Sequence, residues 1–198
     1  MPRRDICSIA VIMIALTLCA GVTASSPSHS SSSNIYRCTG VTAGYSHLID
    51  PSARDWHSYP TAGLRMDVST YVPSFHLRAS WRAGTTRSRG SRQREIVVMH
   101  LAVLGLYDFV VSSGRVGLHL RPLAGISSTA ARLSGGTASS YIDITGNWEN
   151  EFGVCVAFET AFDLNRVEVA VPVFVDHVFS SPHPLTRVGG SLSIGLIW

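Results

Sequence analysis

The chain has 198 residues, of which 45% are hydrophobic and 15% are charged, and its formal net charge at pH 7 is +3. This length allows one domain, and the charge is too small to indicate a nucleic-acid-binding protein. Beyond the N-terminal region there is no run of about 20 apolar residues, which a membrane-spanning helix requires. High apolarity without such a run favours β-strands.

The N-terminal region has the three parts of a secretory signal peptide. Arg3 and Arg4 form a short basic segment, an apolar segment follows over residues 6–20, and small residues precede a cleavage site after Ala24. The sequence therefore predicts a signal peptide over residues 1–24 and export of the mature chain.

Within the leader, Cys19 ends a lipobox-like stretch, but the bulky Leu18 before it argues against a lipoprotein signal. The segments after the leader define the domain organisation. Residues 25–34 are rich in Ser and predict a flexible tether. Residues 35–198 then form a single folded domain.

Apolar and polar residues alternate along much of this domain, as expected when side chains of a strand point to opposite faces. In the segment 75–83, Phe75, Leu77 and Trp81 alternate with Arg78 and Arg82. Five segments show the pattern without a charge on the apolar face: 62–72, 75–83, 152–162, 167–176 and 188–198. Three weaker segments, 36–49, 96–109 and 115–123, bring the predicted number of strands to eight.

The predicted connections alternate between short and long, which is the layout of a transmembrane β-barrel. The short links are at Pro73-Ser74, Ser112-Ser113 and 163–165, and the long ones are 50–60, 84–95, 125–150 and 180–186. The short links predict that Val72 pairs with Phe75, Phe109 with Val116, and Phe162 with Val167. In each predicted pair both residues lie on the apolar face.

The polar face carries charges of both signs, and an eight-stranded barrel has an interior that side chains just fill. We therefore predict that these charges point inward and pair as a plug, because an unpaired buried charge is costly. The predicted ion-pair network is Arg65, Asp67, Arg78, Arg82, Asp108, Arg121, Glu159, Glu168 and Asp176, and Arg115 and Arg166 are also predicted to point inward. A polar conduit for small solutes is the alternative.

Four aromatic residues on the apolar face lie at the short-turn end of the predicted strands: Phe75, Phe109, Phe162 and Trp198. Aromatic girdles mark the membrane interfaces of transmembrane barrels. We predict that these four residues form such a girdle.

At this point residues 36–198 resemble the small eight-stranded outer-membrane β-barrels, the OmpA-, OmpX- and OmpW-like group. The resemblance is sharpest at Leu192, Ile194, Leu196 and the terminal Trp198, although the family usually ends in Phe. It implies an all-β, antiparallel up-and-down barrel in the bacterial outer membrane, surrounded by outer-membrane lipids. It also implies recognition of the last strand by the barrel-assembly machinery, a monomeric state and no cofactor or metal.

The predicted loop 84–95 is basic, with Arg87, Arg89, Arg92 and Arg94 beside Glu95. We predict a contact with phosphates of lipopolysaccharide or with acidic host glycans, and not with nucleic acid, because interleaved aromatic residues are absent.

The predicted function is therefore a non-enzymatic outer-membrane barrel with a structural or surface-interaction role. Passage of small hydrophobic molecules, as in OmpW-like barrels, or a small pore is the first alternative. A lipid-modifying enzyme is another, for which His47, His76, His100 and His119 could supply a general base. A secreted lipocalin-like barrel would place the apolar face inside.

Overall fold

The computed structural model of the chain describes residues 37–49, 56–88, 95–134, 149–179 and 185–198. The predicted signal peptide and Ser-rich tether lie outside these residues. No helix in the described part is long and apolar enough to cross a membrane. The strands are β1 (Arg37–Leu48), β2 (Tyr59–Ser69), β3 (Phe75–Arg87), β4 (Glu95–Tyr107), β5 (Phe109–Ser112), β6 (Gly117–Ser134), β7 (Glu149–Leu164), β8 (Val167–Val178) and β9 (Leu185–Ile197).

The strands close into a barrel. Neighbours along the chain pair antiparallel, β1 pairs with β9, and β4 also pairs with β6. β5 continues β4 after a break at Asp108 and pairs with β6, so β4 and β5 together fill one position in the wall. The predicted eight-stranded antiparallel barrel is therefore confirmed.

The apolar face of each strand is on the outside of the barrel. On β3, Leu77 and Trp81 are exposed, whereas Arg78 and Arg82 between and beside them are buried. The same division holds on β8, where Val171 and Val173 are exposed and Asp176 is fully buried. This orientation is the one a lipid-facing barrel needs, and it is the reverse of a lipocalin-like barrel.

The exposed apolar face is tall enough to match a membrane. The valines from 167 to 175 alternate outward on β8, and at about 3.4 Å per residue they extend about 27 Å along the strand. With the usual tilt of about 40° the band is about 20 Å high, close to the apolar band of about 25 Å in transmembrane barrels.

The predicted faces are right, but all three predicted registers are wrong by an even number of residues. Ser69 pairs with His76, two residues from its predicted partner. Phe109 pairs with Leu120 rather than Val116, and Phe162 pairs with Val169 rather than Val167. Because the period of a strand is two, these shifts leave every side chain on its predicted face.

Local turn chemistry accounts for two of these shifts. At the first turn the Thr70 hydroxyl donates to the carbonyl of Phe75 at 2.8 Å and accepts from the amide of Val72 at 3.2 Å. β2 therefore ends at Ser69. At the last turn Leu164 pairs with Val167, which leaves a two-residue link that begins with Asn165 at a φ of 64°. Asn tolerates this left-handed conformation better than most residues.

Three other predictions need correction. β6 continues to Ser134, so residues 125–134 are strand and not loop, and they pair with both β4 and β7. Small residues such as Gly125 and Ser127 face inward there, which weakens the apolar alternation that predicts a strand. Arg115 and Arg166 lie in short turns and are exposed rather than pointing inward.

Candidate functional site

The interior near the short-turn end holds a network of buried charged side chains. Arg78 lies at its centre: Nε and Nη2 donate to the two carboxylate oxygens of Asp67 at 2.6 and 2.8 Å. Nη2 also donates to Glu159 Oε1 at 2.8 Å. Asp67 and Glu159 are fully buried. Two-pronged guanidinium–carboxylate pairs of this kind are among the strongest hydrogen bonds in proteins.

Arg65 and Arg121 extend this network to Glu168 on β8. Arg65 donates to Glu168 and, at 3.3 Å, to Glu159. Arg121 lies directly opposite Glu159 in the β6–β7 register and donates to it at 3.3 Å, and to Glu168 at 2.5 Å. Glu159 thus accepts from three guanidiniums and Glu168 from two. This multiple pairing offsets the several kcal/mol that each desolvated charge costs.

The observed register changes how Asp67 is paired. The predicted hairpin placed Asp67 opposite Ser80, with Arg78 and Arg82 as diagonal neighbours. In the structure Asp67 lies directly opposite Arg78, because the longer turn after Ser69 shifts the register by two residues. Arg78 is therefore the direct partner of Asp67, and Arg82 lies nearer the long-loop end of the barrel.

At the short-turn mouth the network ends in a histidine between two carboxylates. His119 Nδ1 lies 2.9 Å from Asp108 Oδ1, and its Nε2 lies 3.2 Å from Asp163 Oδ2. Arg121 Nε donates to Asp108 at 3.2 Å. Asp108 is thereby joined to the rest of the network, although it lies at the break between β4 and β5.

One group of side chains in the network has metal-ligating chemistry: Cys38, Asp67 and Glu168 have ligand atoms within 4.8 Å of one another. The Arg65 guanidinium already lies among them, 3.9 Å from the Cys38 sulfur and 3.7 Å from an Asp67 oxygen. A cationic side chain thus fills the position that a metal ion would need. Cys38 and Cys155 are both buried and do not form a disulfide with each other, because they lie on the non-adjacent strands β1 and β7.

A second, smaller ion-pair group lies toward the long-loop end. Asp176 accepts from Arg187 Nη2 at 2.7 Å and from the Ser127 hydroxyl at 2.5 Å. His100 Nε2 lies 3.4 Å from the same carboxylate. Asp176 is therefore paired, as its burial requires, but it is not joined directly to the larger network.

Arg187 is the main interior residue that the sequence interpretation missed. It falls between the predicted loop 180–186 and the predicted strand 188–198, so it was assigned to neither face. The sequence did indicate its orientation, because Arg187 directly precedes Val188, which faces outward on β9, and neighbouring residues of a strand point to opposite faces.

Arg82 does not pair as predicted. Its guanidinium lies over the ring of Phe174, 3.9 Å from the centroid. Of the carboxylates that the structure describes, none lies within 4 Å of this guanidinium.

The remaining interior is almost filled. An apolar layer occupies the long-loop end, and the larger ion-pair network occupies the short-turn end. Two of the cavities that remain between and above the charged groups have volumes of about 30 Å³ each, which is enough for a few waters. The apolar layer consists of Leu48, Trp56, Tyr59, Ile96 and Val98.

No protein-family model matches the chain, and no curated protein matches it. Solved structures match its fold. Neisserial surface protein A (NspA) does so with a TM-score of 0.56 and 8% identity, over 83% of this chain and 97% of NspA. The chain has the fold of the small eight-stranded outer-membrane β-barrels.

Two further outer-membrane barrels are similar at lower scores. The N-terminal domain of Pseudomonas aeruginosa OprF has a TM-score of 0.46 and 9% identity, over 81% of this chain and 97% of that domain. Ail of Yersinia pestis, in complex with the heparin analogue sucrose octasulfate, has a TM-score of 0.49 and 11% identity, over 83% of this chain and 97% of Ail.

On the outer surface of the barrel, the four predicted girdle aromatics lie at the short-turn end. Phe109, Phe162 and Trp198 are exposed and Phe75 is half-buried. Arg37 stacks over the Trp198 ring at 5.3 Å. Exposed aromatics also occur toward the long-loop end, where the sequence interpretation did not single them out: Tyr45, Phe152 and Phe179.

The predicted basic loop 84–95 is shorter in the structure, because β3 continues to Arg87 and β4 begins at Glu95. Arg87 ends β3, points outward and is exposed, whereas Arg89, Arg92 and Arg94 lie outside the described residues. A second outward arginine, Arg132 on β6, is exposed at a similar height. It was missed because the sequence interpretation placed it in a loop.

A hydroxyl–imidazole pair is exposed at the long-loop end. His47 Nδ1 lies 2.9 Å from the Ser58 hydroxyl. Catalysis by such a pair requires a third group that orients the imidazole. Within the described part of the chain, Ser58 is the one side-chain hydrogen-bond partner of His47.

Proposed function

We propose that the protein is an integral outer-membrane barrel with a closed lumen, whose long-loop end contacts phosphate-bearing glycolipids. The observation that carries the proposal is the division of charge in the described strands. Charged side chains are buried inside, the outward faces form an uncharged apolar band, and exposed arginines stand at its upper edge. We further propose that β9 ends in the segment that the barrel-assembly machinery recognises.

The packing of the interior supports a closed lumen. The ion-pair network crosses the barrel from Arg65 on β2 to Glu159 on β7 and Glu168 on β8. Above it, the two cavities of about 30 Å³ each have room for only a few waters. The interior therefore favours a plug over a conduit for ions or for small hydrophobic molecules.

Two arginines at the edge of the apolar band nearest the long loops support the contact with phosphates. Val97 on β4 pairs with both Thr85 and Arg132, and Arg87 is the next outward residue above Thr85. At about 4.8 Å per strand and 3.3 Å per residue, the Cα atoms of Arg87 and Arg132 are about 12 Å apart. Two long cationic side chains at this spacing can reach neighbouring anionic groups of one glycolipid. Glu95, half-buried between them, is the group that a phosphate would compete with.

Conductance in planar bilayers tests the closed lumen. We expect the purified barrel to show no stable channel. A steady, ion-selective pore would contradict the plug, whereas transfer of small hydrophobic molecules without ion current would favour the OmpW-like alternative.

Binding to immobilised lipopolysaccharide tests the surface contact. The double variant Arg87→Gln/Arg132→Gln is compared with Arg115→Gln, an exposed arginine in a short turn at the opposite end. At about 0.2–1 kcal/mol per exposed pair, the double variant weakens binding by about two- to thirtyfold, and Arg115→Gln leaves it unchanged. Equal binding to dephosphorylated lipopolysaccharide would contradict the phosphate contact.

A further inference from the structure

Arg82 is a buried cation without a carboxylate partner among the described residues. It is 9% exposed, and its guanidinium lies over the Phe174 ring, which carries no formal charge. A cation–π contact offsets only part of the free-energy cost of burying an ion. This position lacks a negative charge.

The surroundings do not supply that charge. The Arg187 guanidinium lies 5.9 Å from the centroid of the same Phe174 ring, so two cations flank one aromatic side chain. Among the described carboxylates, Asp176 is the one that forms an ion pair with Arg187, at 2.7 Å, and none forms an ion pair with Arg82. Among these three side chains, two guanidiniums therefore face one carboxylate.

A cavity lies beside Arg82 in the middle of the lumen, with a volume of about 30 Å³. Three of its lining polar atoms are buried and have no hydrogen-bond partner in the structure: Ser80 Oγ, Ser191 Oγ and Arg65 Nε. Unpartnered buried donors are rare in folded proteins. Three guanidinium groups and four hydroxyl groups line the cavity: Arg65, Arg78, Arg82, Thr42, Ser80, Ser191 and Ser193.

We propose that this cavity binds one small anion of the halide class, chloride in most media, which compensates the charge of Arg82. Hydroxyl and guanidinium groups are all donors, as a halide requires. A cavity of this volume has room for a halide. The apolar layer lies above the cavity and the larger ion-pair network below it, so the anion enters when the barrel folds.

Refolding in bromide tests the site directly. The chain is refolded from urea into detergent micelles with bromide as the halide, crystallised, and examined by anomalous diffraction at the bromine edge. We expect one bromide peak within hydrogen-bond distance of the Ser80 and Ser191 hydroxyls and beside Arg82. A site that holds water alone at saturating bromide would overturn the proposal.

Stability against chloride concentration provides the second test, with gluconate replacing chloride at constant ionic strength. At chloride concentrations above the dissociation constant, the ratio of folded to unfolded protein should rise tenfold for each tenfold rise in chloride if one anion is bound. Arg82→Met should lose this dependence, and in gluconate it should be more stable than the unaltered protein, because the uncompensated charge is gone.

A matched pair of hydroxyl variants keeps the test independent of Arg82. Ser80→Ala/Ser191→Ala should need a higher chloride concentration for the same stability. Ser46→Ala removes an equally unpartnered buried hydroxyl that does not line this cavity, and it should leave the dependence unchanged. The absence of chloride dependence in the unaltered protein, or an equal effect of Ser46→Ala, would contradict the site.

Discussion

Neutralising Glu159 is the perturbation that tests the ion-pair network most severely. Glu159 accepts hydrogen bonds from Arg65, Arg78 and Arg121, and it is fully buried. Glu159→Gln keeps the shape of the side chain but removes the carboxylate that accepts from three guanidiniums and places amide donors against them. Removal of one partner from a buried ion pair costs about 3–5 kcal/mol, and we expect a loss of this size in the free energy of unfolding.

The assay is urea unfolding of the barrel in lipid vesicles, followed by tryptophan fluorescence and by the heat-modifiable mobility of the folded form. Glu95→Gln, at the rim of the barrel, is the control and should change the free energy of unfolding by about 1 kcal/mol at most. Glu159→Gln/Arg65→Met also removes one of the guanidiniums that would face the new amide, and should recover part of the loss. A value for Glu159→Gln within 1 kcal/mol of the unaltered protein would refute the reasoning.

Three further predictions concern the membrane face, a turn and the orientation. Val171→Arg places a charge in the apolar band, at a cost of about 2–4 kcal/mol near the midplane; outer-membrane fractions should contain far less of it than of Val171→Leu, and equal amounts would contradict the outward face. Asn165→Val, at a φ of 64°, should lower the free energy of unfolding by about 1–2 kcal/mol, whereas Asn165→Gly should not. An epitope inserted at Ser88 should be labelled on intact cells and one at Asn165 should not; the opposite pattern would reverse the proposed orientation.

The faces of the strands were predictable because alternation is a property of neighbouring residues. Arg78 and Leu77 must point to opposite sides of β3 whatever pairs with them. The register was not predictable in the same way. It depends on the Thr70 hydroxyl, which closes the first turn early, and on Asn165, which adopts a left-handed conformation.

The partners inside the barrel depend on the height of each residue in the wall, which sequence alternation does not contain. Arg78 and Arg82 lie on the same face of β3, yet Arg78 donates to two carboxylates whereas Arg82 lies over an aromatic ring. The second half of β6 was missed for another reason. Small residues such as Ser127 and Gly125 line the interior there and give little contrast with the outer face.

The most direct test of the account is tryptophan quenching by brominated acyl chains in vesicles that contain single-tryptophan variants. Trp81 lies exposed on the outer face of β3, and Trp56 is buried in the apolar layer inside the barrel. We predict strong quenching of Trp81 and little quenching of Trp56, because only the outer face meets lipid. Unquenched Trp81 that acrylamide reaches from water would contradict the claim that the apolar face of this barrel lies in a membrane.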